Sequence, residues 1–170
     1  MTVDCPTASG PFGHLDWHSD SPDEMRSLGK AVGLCLNSTD CIALCGPLGA
    51  GKTTFAKGIA DGLNLGDVVV SPTYTLVAIH QGGRLPLVHV DLYRIHDDQD
   101  LQSIGWDALL DEDGVLVVEW ADRACQGLPA DHLLVTLTHN GDDSRMLRLK
   151  PRGFRAAEIV EQLRDKPSVR

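Results

Sequence analysis

Two hydrophobic rhythms alternate along this chain: short unbroken or every-second-residue apolar runs, and apolar positions recurring every three to four residues. The first marks strands and the second one face of a helix. Phe12 to His18 reads as a short first strand. Ser21-Pro22-Asp23-Glu24 then reads as a helix start, with Ser21 as cap, Pro22 at the first helical position and Glu24 three residues after the cap. Met25, Leu28, Val32 and Leu36 carry that helix's buried face to about residue 37. Cys41 to Cys45 is a continuous apolar run, as expected of a strand buried on both faces. Phe55, Ile59 and Leu63 predict a second helix, ending near Asn64 and Gly66.

After Ser71-Pro72-Thr73-Tyr74-Thr75, Leu76 to His80 and Leu85 to Val90 read as strands joined at Gly82-Gly83, the second ending at Asp91. An acidic stretch, Asp97 to Asp100, leads into a short helical piece through Leu110. Val115 to Val118 is another apolar run, closed by Glu119-Trp120. Leu133, Val135 and Leu137 alternate, Asn140-Gly141 signals a tight hairpin, and Met146 to Leu149 returns. Phe154, Ala157, Val160 and Leu163 predict a closing helix. Residues 1–11, rich in Pro, Gly, Ser and Thr, read as a loose arm before a single domain over 12–170. Strands alternating with helices give the α/β class, and the two hairpins require a mixed sheet with antiparallel parts.

The chemistry concentrates between the Cys41–Cys45 run and the second helix, where Gly46-x4-Gly51-Lys52-Thr53 matches the phosphate-binding P-loop. Gly46, Gly49 and Gly51 let the backbone curl so that successive amides point inward at phosphate oxygens, and the helix dipole adds to the same anion site. Lys52 reaches the β- and γ-phosphates and the Thr53 hydroxyl can ligate Mg²⁺. Pro47 removes one N–H from the loop. Asp91 and Glu119 each end an apolar run; if those strands run parallel to the P-loop strand, both carboxylates emerge at the ligand-binding edge. Thr73 and Thr75 are either a switch that touches metal or γ-phosphate, or a polar turn before a strand. Trp120 belongs either to the core or to a partner surface. No Asn-Lys-x-Asp occurs, which favours ATP over GTP.

Composition narrows the partners. The formal net charge of −9 offers no basic footprint for direct nucleic-acid binding. Five cysteines without a C-x-x-C pair argue against a disulfide framework or a zinc site, and Cys35, Cys41 and Cys45 read as packing residues of a protein in the reducing cytoplasm. The seven histidines show no metal spacing. No stretch has the length of a membrane span and no basic-then-apolar leader opens the chain.

Gly46-Pro-Leu-Gly-Ala-Gly-Lys-Thr-Thr-Phe55, Ser71-Pro-Thr-Tyr-Thr-Leu-Val77, His89-Val-Asp-Leu-Tyr-Arg94 and Val118-Glu-Trp120 together resemble the TsaE (YjeE) family, in its order and approximate spacing. The resemblance implies a P-loop NTPase-like three-layer sandwich with a mixed, mostly parallel sheet. It also implies a small bacterial Mg²⁺-dependent ATPase, slow alone and stimulated by partners. Members act with TsaD and TsaB to make N6-threonylcarbamoyladenosine at position 37 of tRNAs that read codons starting with A, so tRNA is met through the complex. By the same resemblance Leu48, Gly49, Ala50, Gly51, Lys52 and Thr53, with Thr54 after them, cradle ATP. Thr53 and Glu119 hold Mg²⁺, Asp91 serves the metal or the attacking water, and Thr73 belongs to a switch loop. Trp120 lies beside the site, while Ser21, Pro22 and the hairpin tip near Asp143 border the adenine. Two departures stand out: many relatives have an acidic residue at the position of Pro47, and many have Pro at the position of Ala121. A nucleotide-dependent binding module with incidental hydrolysis and a small-molecule kinase are the competing functions; the chain has no evident Arg-rich lid for the latter.

Overall fold

The computed structural model describes residues 12–66, 72–124, 126–141 and 144–165. The expected arm at 1–11, Ser71 and Asp143 lie outside them. Seven strands form one sheet: β1 (Leu15–Ser19), β2 (Cys41–Cys45), β3 (Val77–His80), β4 (Leu87–Asp91), β5 (Val115–Glu119), β6 (His132–His139) and β7 (Arg145–Arg152). Their spatial order is β1-β7-β6-β2-β5-β4-β3. The four central strands, β6, β2, β5 and β4, are parallel, while β7 and β1 on one side and β3 on the other add antiparallel pairs. Helices α1 (Pro22–Gly33), α2 (Lys52–Gly62) and α5 (Phe154–Arg164) cover one face; α3 (Asp98–Ser103), α4 (Trp106–Leu110) and a 3-10 turn at Ala121–Ala124 lie on the other. The result is the expected three-layer α/β sandwich.

Alternation along the central strands sorts side chains between two cores. Ile42, Leu44, Leu87, Val115, Val117, Leu133 and Val135 meet α1, α2 and α5. Cys41, Ala43, Val88, Val90, Leu116, Val118 and Leu134 meet the opposite layer. Burial pushes the Cys41 and Cys45 thiols up to about 12, in keeping with packing roles. No helix among the described residues is long and apolar enough to cross a membrane.

The α1 start follows its sequence: the Ser21 hydroxyl accepts from the Glu24 amide at 3.2 Å, and the Glu24 carboxylate reaches back to the Asp20 amide at 2.7 Å. Glycines then set how closely α1 approaches α2. A Cβ at Gly58 would lie 2.1 Å from the Arg26 carbonyl oxygen, and one at Gly29 would lie 2.2 Å from that of Phe55. Gly29-x3-Gly33 on α1 thus faces Gly58-x3-Gly62 on α2, backbone against backbone.

Several boundaries differ from expectation, each for a physical reason. The first strand begins at Leu15, where its pairing with Leu149 begins, instead of at Phe12. The fourth starts after Pro86, which has no amide to donate. Helix α1 stops at Gly33, although Leu36 beyond it stays buried, and α2 stops at Gly62. The piece expected up to Leu110 is two helices, split where Gly105 takes a left-handed φ of 74°. At the Asn140-Gly141 hairpin the strands pair out to His139 opposite Arg145, so the return strand begins one residue before Met146. On α5, Ala156, Ile159, Val160 and Leu163 are buried and Phe154 is 80% exposed, so its inward face is shifted from the expected one.

Candidate active site

Strands β2, β4 and β5 run in one direction, so their final residues share one edge of the sheet. The P-loop leaves β2 there and turns into α2, with Gly46, Gly49 and Gly51 at φ 144°, 76° and 99°. Glu119 is in register with Leu44 on one side and Asp91 on the other. The sequence condition for both carboxylates to meet the P-loop is therefore satisfied. Both are almost completely buried.

Two hydroxyl–carboxylate pairs occupy this edge. Thr53 Oγ1, in the first turn of α2, donates to Glu119 Oε2 at 2.8 Å. Thr73 Oγ1 donates to Asp91 Oδ2 at 2.8 Å, and the Tyr93 amide donates to Asp91 Oδ1 at 2.9 Å. The other Glu119 oxygen, Oε1, lies 2.8 Å from His89 Nε2. Lys52, only 5% exposed, donates from Nζ to the carbonyls of Gly46 at 2.7 Å and Pro47 at 2.9 Å. Its ammonium also sits 3.7 Å from the centroid of the Trp120 ring. Burial pulls the Lys52 pKa down, and the negative charges of Glu119, Asp122 and Asp91 oppose that shift.

Trp120 takes the left-handed region at φ 57°, is half-buried against the second core, and packs its ring 5.1 Å from that of Tyr93 beside the cleft. Such a φ on a bulky residue is uncommon and turns the chain sharply just after Glu119. The main cleft, about 460 Å³, is lined by Leu48, Gly49, Lys52, Thr53, Asp91 and Glu119 among others. A smaller hollow of about 130 Å³ adjoins it, between Ser21, Pro22, the loop at Gly49 to Gly51, Thr54 and Arg145. Of the expected site residues, Pro22, Leu48 to Thr54, Thr73, Asp91, Glu119 and Trp120 line these two spaces; Thr75 lines neither, and Asp143 lies outside the described residues.

The donors suit a hard cation. A hydroxyl and a carboxylate meet at Thr53 and Glu119, with a second carboxylate at Asp91. Among the described residues no three His, Cys, Asp or Glu side chains form a dedicated cage. One or two carboxylates beside a phosphate cradle is the arrangement that suits Mg²⁺, which takes its remaining oxygens from phosphate and water.

Sequence reasoning gave no role to three residues here. His89 interrupts the apolar β4 run in the same alternation phase as Asp91, a signal available in the sequence. Tyr93 contributes an amide and a ring, and nothing local announces either. Arg145, whose Nη2 lies 3.5 Å from the Gly49 carbonyl, reaches the loop only because β7 begins beside it.

The chain is similar to known proteins over most of its length. Residues 19–147 match the family model for the threonylcarbamoyl adenosine biosynthesis protein TsaE. Similar proteins named tRNA threonylcarbamoyladenosine biosynthesis protein TsaE occur in Bacillus subtilis and Mycobacterium leprae. The first is 36% identical over 149 residues, covering 88% of this chain and 93% of the relative. The second is 42% identical over 123 residues, covering 68% and 76%. The crystal structure of Bacillus subtilis YdiB superimposes with a TM-score of 0.80 at 33% identity, covering 92% of this chain and 97% of that one. With its P-loop, its paired carboxylates and these matches over most of its length, the chain belongs to the TsaE family.

Proposed function

We propose that this protein binds ATP and Mg²⁺ in the P-loop cleft and hydrolyses the ATP to support N6-threonylcarbamoyladenosine formation at tRNA position 37, acting in the cytoplasm with TsaD and TsaB proteins. The observation that carries this reading is the contact between Thr53 and Glu119, with Asp91 and Thr73 paired beside it, in a chain of the TsaE family. Bound Mg²⁺ would neutralise charge on the β- and γ-phosphates.

The chain's own groups divide the remaining work. The amides of Leu48 to Thr53 and the start of α2 face the phosphates, and Lys52 exchanges its loop carbonyls for β- and γ-oxygens. Thr53 and Glu119 hold the metal. Asp91, fixed at both oxygens by Thr73 and the Tyr93 amide, orients the attacking water, and Thr73 ties this carboxylate to the switch loop. Trp120 packs beside the lysine. The hollow at Ser21, Pro22, Thr54 and Arg145 takes the adenosine. A net charge of −9 supports meeting tRNA through the partner proteins rather than directly.

The test is reconstitution of modified tRNA from purified TsaB, TsaD and a carbamoyladenylate supply, with this protein present, absent or replaced by Glu119→Ala. Modification should require the wild-type protein, and ATP turnover should rise when the partners are added. Full modification with Glu119→Ala would reduce the protein to a binding module; modification without any of it would remove it from the reaction.

A further inference from the structure

Strand β4 reads Leu87-Val88-His89-Val90-Asp91, and all five residues are buried. In the middle of a strand with neighbours on both sides, a β-branched apolar residue would pack without polar cost. His89 instead places an imidazole there with no exposure at all. Its Nδ1 finds no hydrogen-bond partner among the described residues. The other nitrogen makes one contact, 2.8 Å to Glu119 Oε1.

Strand register explains how they meet. His89 lies opposite Val117, and Glu119 is two residues further along β5, on the same face of the sheet. Glu119 takes the Thr53 hydroxyl at its second oxygen, so both of its oxygens are engaged by protein groups. An ionised carboxylate only accepts hydrogen bonds, so toward Glu119 the donor is His89 Nε2–H.

We propose that His89 is a positioning residue: its Nε2–H fixes the carboxylate of Glu119 so that Oε2 stays turned toward Thr53 and the cleft, where the metal is held. This inference rests on the reading of Glu119 as a metal-holding carboxylate, and it adds the group that aims it. A buried carboxylate on a strand end has side-chain rotations that would swing Oε2 away from Thr53. The imidazole, immobilised in the β4 core, removes that freedom. Outer hydrogen-bond partners of metal-holding groups commonly account for about 10–100-fold in metal affinity.

The experiment is calorimetric titration of a non-hydrolysable ATP analogue, with Mg²⁺ and with EDTA, into wild type, His89→Phe, His89→Gln, Glu119→Gln and the double variant His89→Phe/Glu119→Gln. His89→Phe keeps a ring without the donor; His89→Val, the residue type on either side, replaces it if Phe does not fold. The expected result is that His89→Phe loses about 10-fold or more of the affinity gained with Mg²⁺, while affinity in EDTA and melting temperature hold. His89→Gln, which retains an N–H donor, recovers most of the gain. In the Glu119→Gln background, His89→Phe has no further effect. If Glu119→Gln itself leaves the Mg²⁺ gain intact, the metal reading of Glu119 falls and this inference with it. If Glu119→Gln removes the gain and the His89 apolar variants do not, the positioning role alone is overturned. An equal loss in EDTA and Mg²⁺, or a loss that persists undiminished in the Glu119→Gln background, also overturns it.

Discussion

Gly58→Ala is the sharpest test of how the P-loop helix is held. The added methyl carbon would sit 2.1 Å from the Arg26 carbonyl oxygen, whereas ordinary contact begins at 3.4 Å, so α1 and α2 must part by more than an ångström. Both partners are helix backbone and neither can swing aside. Overpacking of this kind costs about 3 kcal/mol, and alanine's better helix propensity returns about 1 kcal/mol. The net loss is about 2 kcal/mol, or about 4–8 °C in melting temperature for a domain of this size. The consequence extends to the site, because α2 carries Lys52 and Thr53 in its first turn. Thermal and urea unfolding with and without MgATP measure both effects: the variant should melt lower and gain less protection from nucleotide. A Gly58→Ala protein as stable as wild type, or stabilised by the propensity gain, would refute the close backbone packing.

Lys52→Ala should weaken ATP binding by about 100-fold, the value of about 3 kcal/mol for a buried charge-assisted contact; calorimetry showing unchanged affinity would remove Lys52 from the phosphates. Arg155→Ala strips the buried Asp40 of the guanidinium that holds it through Nε and Nη2, and also frees the Cys35 carbonyl. Because Arg155 is partly exposed, we expect about 2 kcal/mol of destabilisation rather than the larger cost of a fully buried pair, read from the urea midpoint and largely restored by adding Asp40→Asn. The hydrogen bond from Arg148 is the largest influence holding Asp16 below its ordinary carboxylate pKa of 3.8, so that pair stabilises β1 above this value and its contribution fades as pH falls through the lower folded value. Asp16→Asn should therefore flatten the acid limb of a stability–pH curve and leave neutral-pH nucleotide binding unchanged.

Much of the site was legible because its parts are local. The P-loop is contiguous, and Asp91 and Glu119 each stand where an apolar run stops. What one dimension withholds is which strands are neighbours. Nothing near Leu15 announces its pairing with Leu149, and the meeting of His89 with Glu119 depends on the β4–β5 register. The glycine contact between α1 and α2 was hidden for a similar reason: a small residue carries no periodic apolar signal, and its meaning appears only when another backbone lies against it. On α5 the apolar spacing allowed two overlapping faces, and docking on β6 and β7 selected the one through Ala156 and Ile159.

Asp91 and Glu119 stand side by side on adjacent strand ends, both nearly sealed from solvent and both facing one partly desolvated lysine. Like charges opposed across a sheet repel, so the carboxylates to which we assign the metal and the water work against the scaffold that carries them. Laboratory evolution for heat resistance alone, with no demand for turnover, should therefore discard one of the pair among its earliest gains. The resulting proteins would be sturdier and inert, and an amide at 91 or 119 in a distant member of this fold would mark a lineage that has left nucleotide chemistry behind.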